Sequence, residues 1–377
     1  MTVTPSCDQL SECNDHVNRM YHISFTYVTS GEPSMNARAS PPSARIRTME
    51  EFSVASGISR PTLSRFFNDP ERVRPTTREK IEAAMDRLGY RPNLFAINFN
   101  RRNTKTVGII VPTLLDPFYA ALVQRIEFQA LEAGYWSVIQ SSQGDPDREA
   151  EAVATLVSTK SAGAVVVPLG AASRKNLYRQ MEKAMPLVFL DARVDADGAF
   201  VGTDNHVSMN LMVDYLLRSG APPSYFDMPA VNQNATERRR AYEVSMLERE
   251  AQPVIFDVPS LDWDFERLAF QEATRLFKTD APVGGTILCA NDRVAFGVMA
   301  AACQIGISVG RLADLRIAGH DDHPLSQYAC PSLTTVAQDV DRLATLSLER
   351  LMQGIAEGAN KNSTDRLEAR LIMRNSA

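Results

Sequence analysis

Residues 48–68 read TMEEFSVASGISRPTLSRFFN, and the spacing inside this stretch decides how the first part of the chain folds. Met49, Phe52 and Ala55 recur at helical spacing, Gly57 interrupts them, and Ser59 can cap a second helix that tolerates Pro61 in its first turn. Two short helices around a glycine turn make a helix-turn-helix. On the second helix Leu63, Phe66 and Phe67 can turn inward while Arg60, Pro61, Ser64 and Arg65 stay outside, so polar donors lie on the half that enters a major groove. Any αα-hairpin with a glycine turn would share this spacing, so the flanking sequence has to decide.

Charge separates along the chain. Residues 45–105 carry thirteen basic and seven acidic side chains, a net +6, and the formal charge of −5 for all 377 residues then leaves −11 elsewhere. A basic head on an acidic body puts the phosphate-attracting field at one end. Downstream of the hairpin, Asn68-Asp69-Pro70 turns the chain, and Thr76 with Glu79 reads as a capping box for a third helix. Ile81, Ala84, Met85 and Leu88 give that helix one apolar face, and Gly89 ends it.

The stretch Thr48, Glu51, Ser56-Gly57-Ile58-Ser59, Thr62-Leu63-Ser64-Arg65 and Asn68 resembles the DNA-binding head of LacI-type transcription regulators. Departures are Glu51 in place of the usual Asp and Phe52-Ser53 in place of Val-Ala. The resemblance continues through Thr77-Arg78-Glu79-Lys80-Ile81 and Gly89-Tyr90-Arg91-Pro92-Asn93, and reaches the C-terminus. It implies a three-helix DNA-binding domain over 48–92, with contacts to DNA from Thr48, Ser59, Arg60, Pro61 and Thr62. Ser64, Arg65 and Asn68 join them, Arg60 being placed at the helix start as a base reader. It also implies a hinge helix over 93–104, capped by Asn93, with Phe99 standing where the family most often wedges a leucine into the minor groove. A linker that packs Phe95 and Phe99 on itself is the other reading of that segment.

Residues 1–47 lack periodicity and collect Ser, Pro and Asn, so a disordered extension is expected, and the native start could be Met35 or Met49. Tyr21 to Val28 is too short and polar for a signal-peptide core. The five cysteines are scattered, which suits a reduced, cytoplasmic protein; Cys7 and Cys13 with His16 form no convincing zinc spacing.

From Lys105 the texture becomes βαβ. Apolar runs at Val107–Val111, Trp136–Ile139, Ala164–Val167, Leu187–Leu190, Val254–Val258, Thr286–Cys289 and Leu315–Ala318 alternate with helical patterns, the mark of doubly wound parallel sheets with sites at the carboxyl strand ends. The length of 105–377 suits two such lobes. The resemblance implies the two-lobed periplasmic-binding-protein-like arrangement, with an effector-binding cleft and the dimer interface in this part.

Candidate ligand residues follow the strands. Asp116, Phe118 and Tyr119 come after the first, an acceptor beside two aromatic faces that suits a sugar, although Asp116 can equally cap a helix. Asp191 ends the fourth run. Asn291 and Asp292 follow Ile287-Leu288-Cys289-Ala290, the first expected in the cleft and the second as the helix cap, or the reverse. Gly319-His320-Asp321-Asp322 matches the family's Gly-Tyr/Phe-Asp-Asp, which makes Asp321 the cleft carboxylate and His320 a packing residue. Gln338 sits at the crossing between lobes. The family's cleft arginine matches Arg238 in one register, while the other register lands on Thr236.

No nucleophile elbow, phosphate-binding Walker loop or HExxH occurs, so no enzyme is expected, nor any cofactor or membrane partner. His320-Asp321-Asp322-His323 could suggest a metal, but neighbours at a strand end point to opposite sides. The expectation is a DNA-binding regulator, a repressor in kind, that binds a pseudo-palindromic operator as a homodimer and senses a small molecule, a sugar or sugar derivative. A solute-binding sensor with a vestigial head is the alternative; the basic head speaks against it.

Overall fold

The structure is a computed structural model, and it describes residues 46–68, 70–92, 104–194, 198–279, 285–358 and 362–377. The expected leader with Cys7 and Cys13, and the expected hinge with Asn93 and Phe99, lie outside the described residues.

The head is helical. Thr48 caps α1 (Met49–Ser56) through a reciprocal capping box with Glu51, and Gly57 closes it in the left-handed conformation at φ 71°. Helix α2 (Arg60–Asn68) begins with the Ser59 carbonyl accepting from Thr62 and Leu63, while the Ser59 and Thr62 hydroxyls pair at 2.8 Å. Helix α3 (Pro75–Leu88) differs from expectation at its start. Arg74 is its first cap residue and Pro75 opens it, so Thr76 and Glu79 fall inside the helix and form no capping box. Phe52, Leu63, Ile81 and Tyr90 are buried, with Phe52 and Tyr90 stacked at 4.3 Å between ring centroids. Ala55, expected inside, is exposed; half-buried Ser53 and Ile58 take the inner positions, linked by a 2.7 Å hydrogen bond.

The body holds two parallel sheets. In the first lobe β1 (Thr106–Val111), β2 (Trp136–Ser141), β3 (Gly163–Val166), β4 (Leu187–Leu190) and β5 (Ala199–Thr203) combine with β11 (Thr364–Leu367) in the order β11-β5-β4-β3-β1-β2. One face is covered by α4 (Pro117–Glu132) and α11 (Val340–Glu357), which bury Leu122, Ile126, Leu343 and Leu351 against the sheet. The other is covered by α5 (Pro146–Ser158) and α6 (Lys175–Ala184) through Leu156, Tyr178 and Met181. Apolar runs read as buried on both faces are therefore covered on both faces.

The second lobe orders its strands β7-β6-β8-β9, from β6 (Ser224–Phe226), β7 (Ile255–Phe256), β8 (Thr286–Cys289) and β9 (Arg316–Ala318). Helices α7 (Asn205–Ser219), α8 (Gln233–Leu247), α9 (Phe265–Lys278) and α10 (Asp292–Ile305) share its core. The chain passes between the lobes three times: from β5 into α7, from β10 (Thr335–Ala337) into α11, and from β11 into β12 (Arg370–Ile372), which pairs antiparallel with β10. No described helix is long and apolar enough to cross a membrane.

Candidate functional site

On the head, the outer face of α2 presents Arg60, Pro61 and Arg65 to solvent, with Thr62 and Ser64 half-buried beside them. Arg60 stands 3.6 Å from Glu50, and the Asn68 amide reaches Ser64 at 3.4 Å. Thr48 is held in the α1 cap. Donors thus cluster at the helix start, the end whose backbone dipole also favours phosphate.

The body contains a cleft lined by residues at the carboxyl strand ends of both lobes. Its first-lobe wall has Asp116, Phe118, Tyr119 and Asp191. The second-lobe wall has Arg238, Asn291 and Asp321, and Gln338 closes it at the second crossing. Asp292 stands apart from these. Asn291 is both the cap of α10, accepting from Val294 N at 2.8 Å, and the cleft residue. The Asp292 carboxylate instead binds Ser326 Oγ at 2.6 Å, Thr335 Oγ1 at 2.6 Å and His323 N at 2.7 Å, which fixes the loop after β9. A side chain on Gly319 would run into that carboxylate, which accounts for the glycine of Gly319-His320-Asp321-Asp322.

Asp321 is the hub. Its Oδ1 accepts from Arg238 Nη2, Gln338 Nε2 and His320 Nδ1, each at 2.8 Å. Burial opposes its charge, but the Arg238 guanidinium and these hydrogen bonds prevail and hold it at about 2. His320 is fully buried; burial and the nearby Arg238 charge push it down to about 4, so it is a neutral ring that donates to Asp321 and meets Ser208 Oγ at 2.9 Å. Its part is to orient Asp321, more than the packing expected of it. Arg238 also gives Nε to Asn205 Oδ1 at 3.1 Å and Nη1 to the Ala290 carbonyl at 2.9 Å.

On the opposite wall Tyr119 donates to Asp191 Oδ2 at 3.1 Å. Burial lifts Asp191 to about 7, with Arg238 pulling against it and Asp321 reinforcing the rise. Both Asp191 and Asp321 have positive φ, 65° and 110°, backbone conformations that side chains adopt at a cost and that place the two carboxyls at the cavity. Asp116 serves in two ways: Oδ1 caps α4 through Phe118 N at 3.0 Å, and Oδ2 meets Arg293 Nη1 of the second lobe at 3.3 Å. Burial raises Asp116 against the pull of Arg293.

Several cavity residues carried no signal in the sequence. Trp263 and Phe265 bring aromatic faces from the start of α9, and Asn205, bonded to Asn234 at 2.8 Å, anchors Arg238. The pattern Thr203-Asp204-Asn205 at a strand-to-helix junction was the available clue. Acceptors, donors and aromatic side chains gathered in one cleft suit a ligand with hydroxyls. Among the described residues no group of three His, Cys, Asp or Glu could hold a metal ion.

The family of bacterial regulatory proteins called lacI matches residues 48–93, and the periplasmic-binding-protein-like domain family matches residues 213–377. The ribose operon repressor of Escherichia coli (strain K12) is 26% identical over 332 residues, covering 88% of this chain and 99% of that protein. The sucrose operon repressor of Pediococcus pentosaceus is 25% identical over 314 residues, covering 83% and 93%. Among solved structures, the lac repressor dimer bound to operator and the anti-inducer ONPF superposes with a TM-score of 0.75 at 25% identity, covering 87% of this chain and 98% of that one.

Proposed function

This chain belongs to the lacI family of bacterial regulatory proteins, and on that premise we propose that it is a sequence-specific transcription regulator whose DNA affinity is set by a small molecule in the body cleft. A homodimer binds a pseudo-palindromic operator, each head laying α2 in one half-site. The hinge over 93–104, with Asn93 and Phe99, belongs to this reading, as does a cytoplasmic location. The effector is a sugar or sugar derivative, and the regulator is a repressor, in keeping with the ribose and sucrose operon repressors that the chain resembles.

The observation that carries the proposal is the cavity built around Asp321. Arg238, His320 and Gln338 converge on one oxygen of this cavity-lining carboxylate, an expensive arrangement for packing alone. Because the wall joins both lobes, a ligand that prefers one lobe spacing shifts the body between states, and operator affinity changes by the ratio of its affinities for them. Selection of random duplex DNA by the purified full chain tests the DNA half: one two-fold symmetric sequence should be enriched. Enrichment of no sequence would remove that half of the proposal.

A further inference from the structure

Resting on the sugar-cleft reading above, we infer that the effector is an uncharged polyol or sugar, and that the cavity excludes phosphorylated and carboxylated counterparts. The charges on the walls carry this. Three carboxyl groups, Asp116, Asp191 and Asp321, line the cavity with a single guanidinium, Arg238. That cation is already bound to Asp321 at 2.8 Å, and its Nε and Nη1 are bound to Asn205 and the Ala290 carbonyl. The nearest other cation, Arg293, is held by Glu266 at 2.6 Å and 2.7 Å as well as by Asp116. Among the described residues no lysine lines the space. A phosphate or carboxylate entering here would leave water for a site lined by three carboxyl groups whose described cations are already paired.

Hydroxyls, by contrast, find complements. Asp321 Oδ2, which takes none of the three hydrogen bonds from Arg238, His320 and Gln338, is an acceptor, and the Asn291 amide nitrogen, whose partner is the Met228 sulfur at 3.4 Å, donates more strongly to an oxygen. Phe118 and Trp263 supply aromatic surface for the C–H side of a ring. A hydroxyl both donates and accepts, so it can use either kind of wall group; an anionic oxygen only accepts.

Thermal melting of the full chain with matched probes tests the inference: D-ribose, D-glucose and D-fructose against ribose 5-phosphate, glucose 6-phosphate, fructose 6-phosphate and D-gluconate. At least one uncharged sugar should raise the melting temperature by a few degrees at saturation, and its anionic counterpart should bind at least ~100-fold more weakly. An anionic probe that stabilises as well as or better than its parent would overturn the charge assignment while leaving a sugar cleft in place. Silence across all probes would overturn this inference together with the sugar reading beneath it. The response should disappear in Asp321→Asn and in Asn291→Ala; a response that survives both would place the ligand outside this cavity and overturn the inference.

Discussion

Trp263 of the second lobe lies directly against Gly144 of the first, so closely that a Cβ on Gly144 would stand 2.5 Å from the indole Cδ1. Gly144 also has φ 73°, which a side chain tolerates poorly. The indole therefore uses a notch that exists because residue 144 has no side chain, and the two lobes meet there beside the cavity. Gly144→Ala should weaken effector binding about tenfold while costing the unliganded protein only ~1 kcal/mol of backbone strain. Titration of the stabilising sugar against both proteins checks this; equal affinities would show that lobe contact at the notch is unnecessary for binding.

Asp116 and Arg293 form a second link across the cleft, and each is mostly buried. Asp116→Asn and Arg293→Gln should each reduce effector affinity. The double variant should lose less than the sum, with a coupling of ~1 kcal/mol or more, because the pair is removed once. Strict additivity in this cycle would assign the two residues independent parts.

Asp191 gives the protein a pH signature. Its folded value of about 7 lies above the ordinary carboxylate value near 3.8, so the folded state holds its proton more tightly. The stabilisation this brings is complete below about pH 4 and is lost as pH rises through about 7. Melting temperature should therefore fall between pH 5 and pH 8, and Asp191→Asn should flatten part of that slope. Asp292, which burial also lifts to about 7, adds to the fall, while His320, which burial holds at about 4, opposes it below about pH 6.5. A slope unchanged in Asp191→Asn would mean that this carboxyl is ionised throughout.

The carboxyl-end residues Asp116, Asn291 and Asp321 were legible because each follows an apolar run, although Asp116 and Asn291 also cap the helices that come next. Arg238 was harder. It stands first in Arg238-Arg239-Arg240, and only burial separates it from Arg239, which pairs with Asp227 at 3.0 Å and Asp257 at 2.6 Å, and from exposed Arg240. Strands β5 and β6 escaped notice because glycines flank Phe200-Val201 and because Ser224–Phe226 is only three residues long. Strands β11 and β12 have half-exposed, polar alternation typical of strands near an edge or a crossing. Trp263 and Phe265 depend on how α9 docks, which local spacing does not encode.

On the head, Arg60→Ala should cost ~1–3 kcal/mol of operator binding and relax base preference at one position in each half-site. Arg65→Ala should weaken all duplexes alike and reduce the dependence of affinity on salt. Competition between the selected operator and single-base variants separates the two; loss of preference in Arg65→Ala instead would exchange the roles.

Operator affinity of the full chain, measured across salt concentrations with and without the stabilising sugar, bears most directly on the link between cleft and head. Binding should fall steeply with salt, favour the selected palindrome over a scrambled duplex by ~10³-fold or more, and change at least several-fold when the sugar is added. Affinity indifferent to sequence and unmoved by a sugar that demonstrably binds would contradict the regulator described here.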